Sequence, residues 1–214
     1  MIKPALFNTD MVRAILEGRK TVTRRAVKHQ PSSSYELVRG MYRDGNGRLC
    51  AVFHSSEDIK SVYPNYDRGD ILWVRETWNC LPIPEPLRGT NKTYWYKADG
   101  AEPGDKWRPS IHMPREAARI FLRVTDVRVE RLQEITAEGA LDEGTDVKFP
   151  EPKPSYISLA YTEMRLKPAA RQSFSKLWDS TIKPKDLSAY GWEANPWVWV
   201  IEFERISKED AFCE

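Results

Sequence analysis

The stretch ARIFLRVTDVRVERL, residues 118–132, alternates apolar and charged side chains for long enough to form one long strand or two consecutive ones. Period-two alternation sends successive side chains to opposite faces of a sheet, so the centre of the chain reads as β-rich. The segments on either side carry related signals. RGDILWVRETW, from Arg68 to Trp78, begins with a turn and enters a mostly apolar strand. KTYWYKA, residues 92–98, offers another strand after a Pro-rich loop from Leu81 to Leu87. Further back, YELVRGMYR and RLCAVFH are two alternating runs joined by DGNG, a composition that supplies the positive φ angles of a hairpin turn. At the far end NPWVWVIEFERI alternates into a closing strand.

Helical spacing appears in three places. Asn8 or Thr9 caps a helix whose apolar positions are Met11, Val12, Ile15 and Leu16, and Gly18 stands where a left-handed residue ends it. Thr136 caps a short helix with AEGALDE as its body and Gly144 as its stop, although Gly139 weakens it by about 1 kcal/mol relative to alanine. PAARQSFSKLWDSTI restores helical spacing through Phe174, Leu177 and Trp178, with Pro168 in the first turn. Residues 146–157, DVKFPEPKPSYI, read as an extended loop. Six or more strands, about three helices and no regular βαβ alternation predict an α+β fold, a small β-barrel decorated by helices. One domain over residues 1–214 is the expected organisation.

Composition narrows the function classes. Hydrophobic residues make up 41% and charged residues 30%, which is ordinary for a globular chain. With 33 basic and 31 acidic residues the formal net charge is only +2, so bulk charge does not bind nucleic acid and any anion site must be local. No stretch approaches the roughly 18 apolar residues of a membrane span, and MIKPALFNTD lacks the apolar run of a signal peptide. The expected location is the cytoplasm, with no membrane partner. Cys50, Cys80 and Cys213 are far apart, as are His29, His54 and His112, so neither a disulfide framework nor a metal site is predicted. No cofactor motif is present either, and the oligomeric state stays open.

Five places compete as sites. GRKTVTRR, residues 18–25, leaves the first helix and becomes a β-branched strand. A threonine hydroxyl needs a nearby base, and a lysine held neutral by burial or neighbouring cations can serve, so Lys20 and Thr23 form a candidate pair. Residues three apart on a straight strand face opposite sides, so the pair requires a bend after Gly18. The other reading is a solvated cationic edge strand that discourages pairing. Glu143 lies at the end of the short helix, where negative charge meets the negative end of the macrodipole; it is either ordinary surface acidity or a carboxylate kept to pair with a lysine or polarise an amide.

WVRETW offers Trp73 to stack on a base, Arg75 as a fork for phosphate or a base edge, and Glu76 as an acceptor, against core packing as the alternative. WRPSIHMPR places Ser110 and His112 in a loop, two residues apart, without the elbow or spacing of a hydrolase triad. Binding or packing is the expectation there. In GWEANPWVWV the tryptophans are expected in the core.

GRKTVTRR fits the pattern Gly-x-Lys-x-x-Thr-x-Arg through Gly18, Lys20, Thr23 and Arg25, and in this the chain resembles the ASCH domain family. GDILWVRETW, WRPSIHMPR, ITAEGALDEG, LWDS and GWEANPWVWVIEF follow in the order of its longer, phage- or prophage-associated branch. The resemblance covers nearly the whole chain and implies a PUA-like β-barrel with helices around a cleft. Relative to a small member that removes the acyl group from N4-acetylcytidine, this chain has insertions near residues 30–66, 80–112 and 145–167. That amidohydrolase uses a lysine, a threonine and a glutamate, which the resemblance carries onto Lys20, Thr23 and, more loosely, Glu143. Substrate-binding roles are then expected for Arg25, Trp73, Arg75, Glu76, Ser110 and His112, with a nucleoside as the ligand. Another member is similar to ribonucleases for single-stranded RNA, so metal-independent RNA cleavage is an alternative. Binding of RNA or a modified nucleotide without turnover is a third.

Overall fold

The computed structural model describes residues 1–32, 34–80, 94–100, 106–147 and 167–213. The Pro-rich loop expected at 81–87 lies outside them, as does the loop expected at 146–157 from residue 148 onward. Within them the fold is mixed α+β with strands dominating. Among the described residues no helix is long and apolar enough to cross a membrane.

The chain forms two compact units, each assembled from separate stretches. Unit 1 comprises Met1–Gly18, Gly69–Val124 and Glu204–Glu214; unit 2 comprises Arg19–Arg68 and Thr125–Phe203. In unit 1, strand β1 (Ile2–Leu6) runs parallel to β6 (Ile71–Arg75), with Ile2 opposite Ile71. β6 in turn runs antiparallel to the start of β9 (Phe121–Arg131), pairing Leu72 with Leu122. β1 is a strand that the sequence pattern did not indicate: its five residues, IKPAL, carry a proline and no clean alternation. Helix α1 (Thr9–Leu16) starts where the Asn8 side chain accepts the Met11 N–H at 2.9 Å. It ends before Gly18, whose φ of +74° is the left-handed value that glycine adopts without strain. A short ribbon, β7 (Trp78–Cys80) with β8 (Tyr94–Tyr96), closes over a core of Ile71, Trp78, Met113, Ala117, Ala118 and Phe121.

Unit 2 holds the remainder of β9, the Trp197–Phe203 part of β10 (Trp197–Ile206), and β2 (Val22–Ala26), which lie side by side in that order. β10 and β2 are antiparallel with Val200 opposite Arg24 and Ile201 opposite Thr23. The expected hairpin is β3 (Glu36–Arg43) with β4 (Leu49–His54), joined in a second sheet by β5 (Ile59–Val62). Its turn is fixed by Asp44, whose Oδ1 accepts from the N–H groups of Asn46 and Arg48 at 2.9 Å each.

One face of the β9-β10-β2 layer is covered by two helices. α2 (Ala137–Asp142) begins at Thr136, whose hydroxyl accepts the Gly139 N–H at 3.0 Å, and stops at Gly144 with φ +81°. α3 (Lys167–Thr181) presents Ala170, Phe174 and Trp178, four residues apart, to the same layer. These side chains pack with Val22, Val198 and Val200. At about 1.5–3 kcal/mol for each fully buried large apolar side chain, this face contributes several kcal/mol to unit 2. A single turn, α4 (Leu187–Tyr190), leads back toward β10.

Candidate functional site

Gly18 turns the chain out of α1, and the next residues change partner twice. Lys20 makes an isolated antiparallel bridge with Glu143. Thr21 donates its N–H to the Asp142 carbonyl at 2.9 Å, while its own carbonyl accepts the Phe203 N–H at 2.9 Å. In a regular antiparallel strand both groups of one residue point to the same neighbour. At Thr21 they point to different ones, so the backbone turns there before entering β2. The chain therefore departs from a regular strand one residue after Lys20, and the bonds of Lys20 Nζ run to Glu143 and to the Val22 carbonyl.

The side chain of Lys20 has no exposed surface. Its Nζ donates to Glu143 Oε2 at 2.5 Å, to the Glu143 carbonyl at 2.9 Å and to the Val22 carbonyl at 2.8 Å. An ammonium has three donors, and these are three acceptors. Burial pushes the Lys20 pKa down from its ordinary value; Glu143 opposes that shift, and the charges of Arg25 and Arg24 add to it.

Glu143 closes α2: its backbone N–H bonds the Gly139 carbonyl at 3.1 Å. A carboxylate at a helix C-terminus is disfavoured by the aligned carbonyls. Here the disfavour is answered twice, by Lys20 on Oε2 and by Arg24 Nη1 on Oε1 at 3.3 Å. The surface-acidity reading of Glu143 does not hold, because the residue is 3% exposed.

In the sequence Arg24 stands only as one of the cations beside Lys20; the structure makes it a full member of the cluster. Its guanidinium spans Glu143 and Glu130 of β9, donating to Glu130 Oε1 from Nε at 3.0 Å and Nη2 at 2.7 Å. The Phe174 ring of α3 lies under it, 5.8 Å from the guanidinium carbon. One signal was available: Arg24 is two residues from Val22, so both point to the helix-covered face. The structure also packs Gly139 against it: an added Cβ there would lie 3.3 Å from Arg24 Nη2. Lys20, Arg24, Glu130 and Glu143 bring two basic and two acidic side chains together. A balanced cluster of this kind avoids the several kcal/mol that a lone buried ion costs.

Beside this cluster a cavity of about 200 Å³ is lined by Thr21, Arg24, Thr125, Arg128, Asp142 and Glu202, among others. Arg128 donates to Glu202. Partial burial and the Glu202 charge push the Asp142 carboxyl above its ordinary range, against the pull of Arg24.

Thr23 and Arg25 project to the face of β2 opposite Arg24. Thr23 is 3% exposed. Arg25 is half-buried, opposite Trp199 of β10; burial lowers its pKa, while Tyr66 and Glu143 raise it.

The five remaining expected residues, Trp73, Arg75, Glu76, Ser110 and His112, all belong to unit 1. Arg75 stacks over Trp73, 5.3 Å from the ring centre, and its Nη2 donates to the Ile111 carbonyl in the turn Ser110–His112. Trp73, Arg75 and that turn are thereby brought together, with His112 exposed. Glu76 is buried, and its two oxygens accept from Arg119 Nε and Nη2 at 3.0 Å each. Burial pushes its carboxyl up and Arg119 pulls it down. Arg119 also binds Asp99 at 2.8 Å and lies 3.8 Å from the centre of the Tyr96 ring. Glu76 thus anchors the partly exposed Arg119. Comparison of the chain with known protein families, with curated proteins and with solved structures finds no match.

Proposed function

We propose that the protein is a hydrolase that cleaves the acyl amide of N4-acylated cytosine nucleosides, giving the free amine and a carboxylate. The observation that carries this reading is the buried 2.5 Å contact between Lys20 Nζ and Glu143 Oε2, set beside a strand that bends before Thr23. The likeness of GRKTVTRR to the ASCH motif supports it, and with that likeness go a PUA-like barrel and a cytoplasmic enzyme of prophage type.

The chemistry requires Lys20 as a neutral amine, the form that its burial favours. As a neutral amine Lys20 takes the proton of Thr23 while Oγ1 forms a bond to the acyl carbon and the carbonyl electrons move to oxygen. The Arg25 guanidinium, on the same face of β2 as Thr23, stabilises that oxyanion. When the intermediate collapses, the carbon–nitrogen bond breaks and N4 leaves as the amine, taking the proton from Lys20 through Glu143. Water then adds to the threonine ester with Lys20 as base, the ester bond breaks, and Oγ1 regains a proton as the carboxylate departs. An uncharged nucleoside also leaves the charge balance of the Lys20, Arg24, Glu130 and Glu143 cluster undisturbed, which favours it over a polyanion.

Incubation of purified protein with N4-acetylcytidine and, side by side, with a labelled unmodified RNA tests the proposal. Cytidine and acetate from the first with no shortening of the second is the expected result. Shortened RNA with no cytidine assigns the protein to RNA cleavage instead. A second reading, a reader of modified nucleotides without turnover, is favoured by one observation: Lys20 has three acceptors within the protein. It predicts salt-sensitive binding of the nucleotide and no product in either arm.

A further inference from the structure

We propose that Arg24 is the positioning residue of this site: it holds Glu143 by Oε1 so that Oε2 meets Lys20. The inference rests on the amidohydrolase reading for its consequence in catalysis, and on geometry alone for the positioning.

A glutamate at the end of a short helix has free rotation about three side-chain bonds and, left alone, would swing to solvent. Glu143 instead has one oxygen on Lys20 at 2.5 Å and the other on Arg24 at 3.3 Å. Arg24 is itself fixed from two further elements. Glu130 of β9 accepts two of its N–H groups, and Phe174 of α3 supports the plane of the guanidinium. A fork that meets two carboxylates at once is a geometry arginine supplies and lysine does not. Gly139 adds a steric observation: the helix comes so close that a methyl group would press on Nη2.

The charged groups facing the Lys20 and Glu143 pair are Arg24 and Arg25 from β2. Those facing Arg24 are Glu130 from β9 with Glu143 and Asp142 from the end of α2. Arg128 bridges Glu130 to Glu202 of β10. Arg24 is thus the member of the set that joins the catalytic carboxylate to the rest. Arg25, which falls on the family pattern, acts on the pair through its charge from the other face of β2.

The test uses Arg24→Lys, which keeps the charge and loses the fork, and Glu130→Gln, which loosens Arg24 from its other side. The first readout is the ¹⁵Nζ resonance of Lys20, which a three-acceptor buried ammonium protects from solvent exchange at a pH below its titration. Wild type shows this resonance; Arg24→Lys loses it and Glu130→Gln broadens it, with far-UV dichroism unchanged in both. The second readout is kinetic: kcat for N4-acetylcytidine falls about 10- to 100-fold in Arg24→Lys while KM stays within about twofold, as expected for misplacement of a reacting group. In a Glu143→Gln background, Arg24→Lys lowers kcat no further. A protected Lys20 resonance retained in both variants overturns the proposal, as does a loss of kcat that adds fully to that of Glu143→Gln. If wild type releases no cytidine, the amidohydrolase reading fails, and the resonance still decides whether Arg24 positions Glu143.

Discussion

A lysine without exposed side-chain surface must either share its charge with a partner or give up its proton. Lys20 is built for both, with Glu143 in contact and burial lowering its pKa. Removing one partner of such a pair strands the other. We expect Lys20→Met and Glu143→Leu each to cost about 3–5 kcal/mol in urea unfolding, and the double variant to cost clearly less than their sum. Additive costs would mean that the two side chains do not interact.

The sign of the pH dependence follows from the direction of the shift. With its folded pKa below 10.5, Lys20 holds fewer protons in the folded protein than in the unfolded chain across the window between the two values. Its contribution to stability therefore rises with pH through that window and is smallest at lower pH. The stability of wild type minus that of Lys20→Met, followed from neutral to alkaline pH, should climb with pH; a fall would contradict a depressed pKa. Of these residue-scale features, the irregular backbone after Gly18 was legible in GRKTVTRR, and the pairing of Lys20 with Thr23 remains part of the proposal. That Thr21 makes the bend was not legible, because it depends on the carbonyl of Asp142, which is distant in sequence.

At the scale of elements, α2 explains why a glycine stands inside a helix. By propensity alone, Gly139→Ala should stabilise it by about 1 kcal/mol. The added Cβ would instead meet Arg24 Nη2 at 3.3 Å, and that guanidinium is tied on three sides and cannot yield freely. We expect Gly139→Ala to give no gain in thermal stability and to lower the melting temperature; a rise would show that Arg24 moves aside. The caps of this helix, Thr136 and Gly144, were legible because their side-chain chemistry is local. So were the hairpin of β3 and β4, whose turn carries its own hydrogen bonds, and β9, whose alternation is long. β1 was not, since its strand state comes from pairing with β6, and no local pattern announces a parallel partner. Arg24 stood only as a neighbouring cation for a related reason. A run of arginines reads as a charged surface, and only the helix packed over one face of β2 makes one of them internal.

For the whole molecule, connectivity has consequences that neither unit shows alone. β9 starts in unit 1 and continues into unit 2, and β10 starts in unit 2 and ends in unit 1. Each of these two strands is one continuous element of the chain. The amides of Leu122 in unit 1 and Val200 in unit 2 should therefore exchange through one global opening, with free energies within about 1 kcal/mol of each other. A gap of several kcal/mol would mean that the units open independently.

The near balance of charge, +2 over 214 residues, belongs to this scale too. It leaves specificity to local groups such as the cluster around Lys20, for which the proposed ligand is an uncharged nucleoside. Release of cytidine from N4-acetylcytidine by wild type, Lys20→Ala, Thr23→Ala and Glu143→Ala tests this account most directly. Turnover by wild type with a loss of about 100-fold or more in each variant is the predicted result. Unchanged turnover in the three variants, or none in a correctly folded wild type, would contradict it.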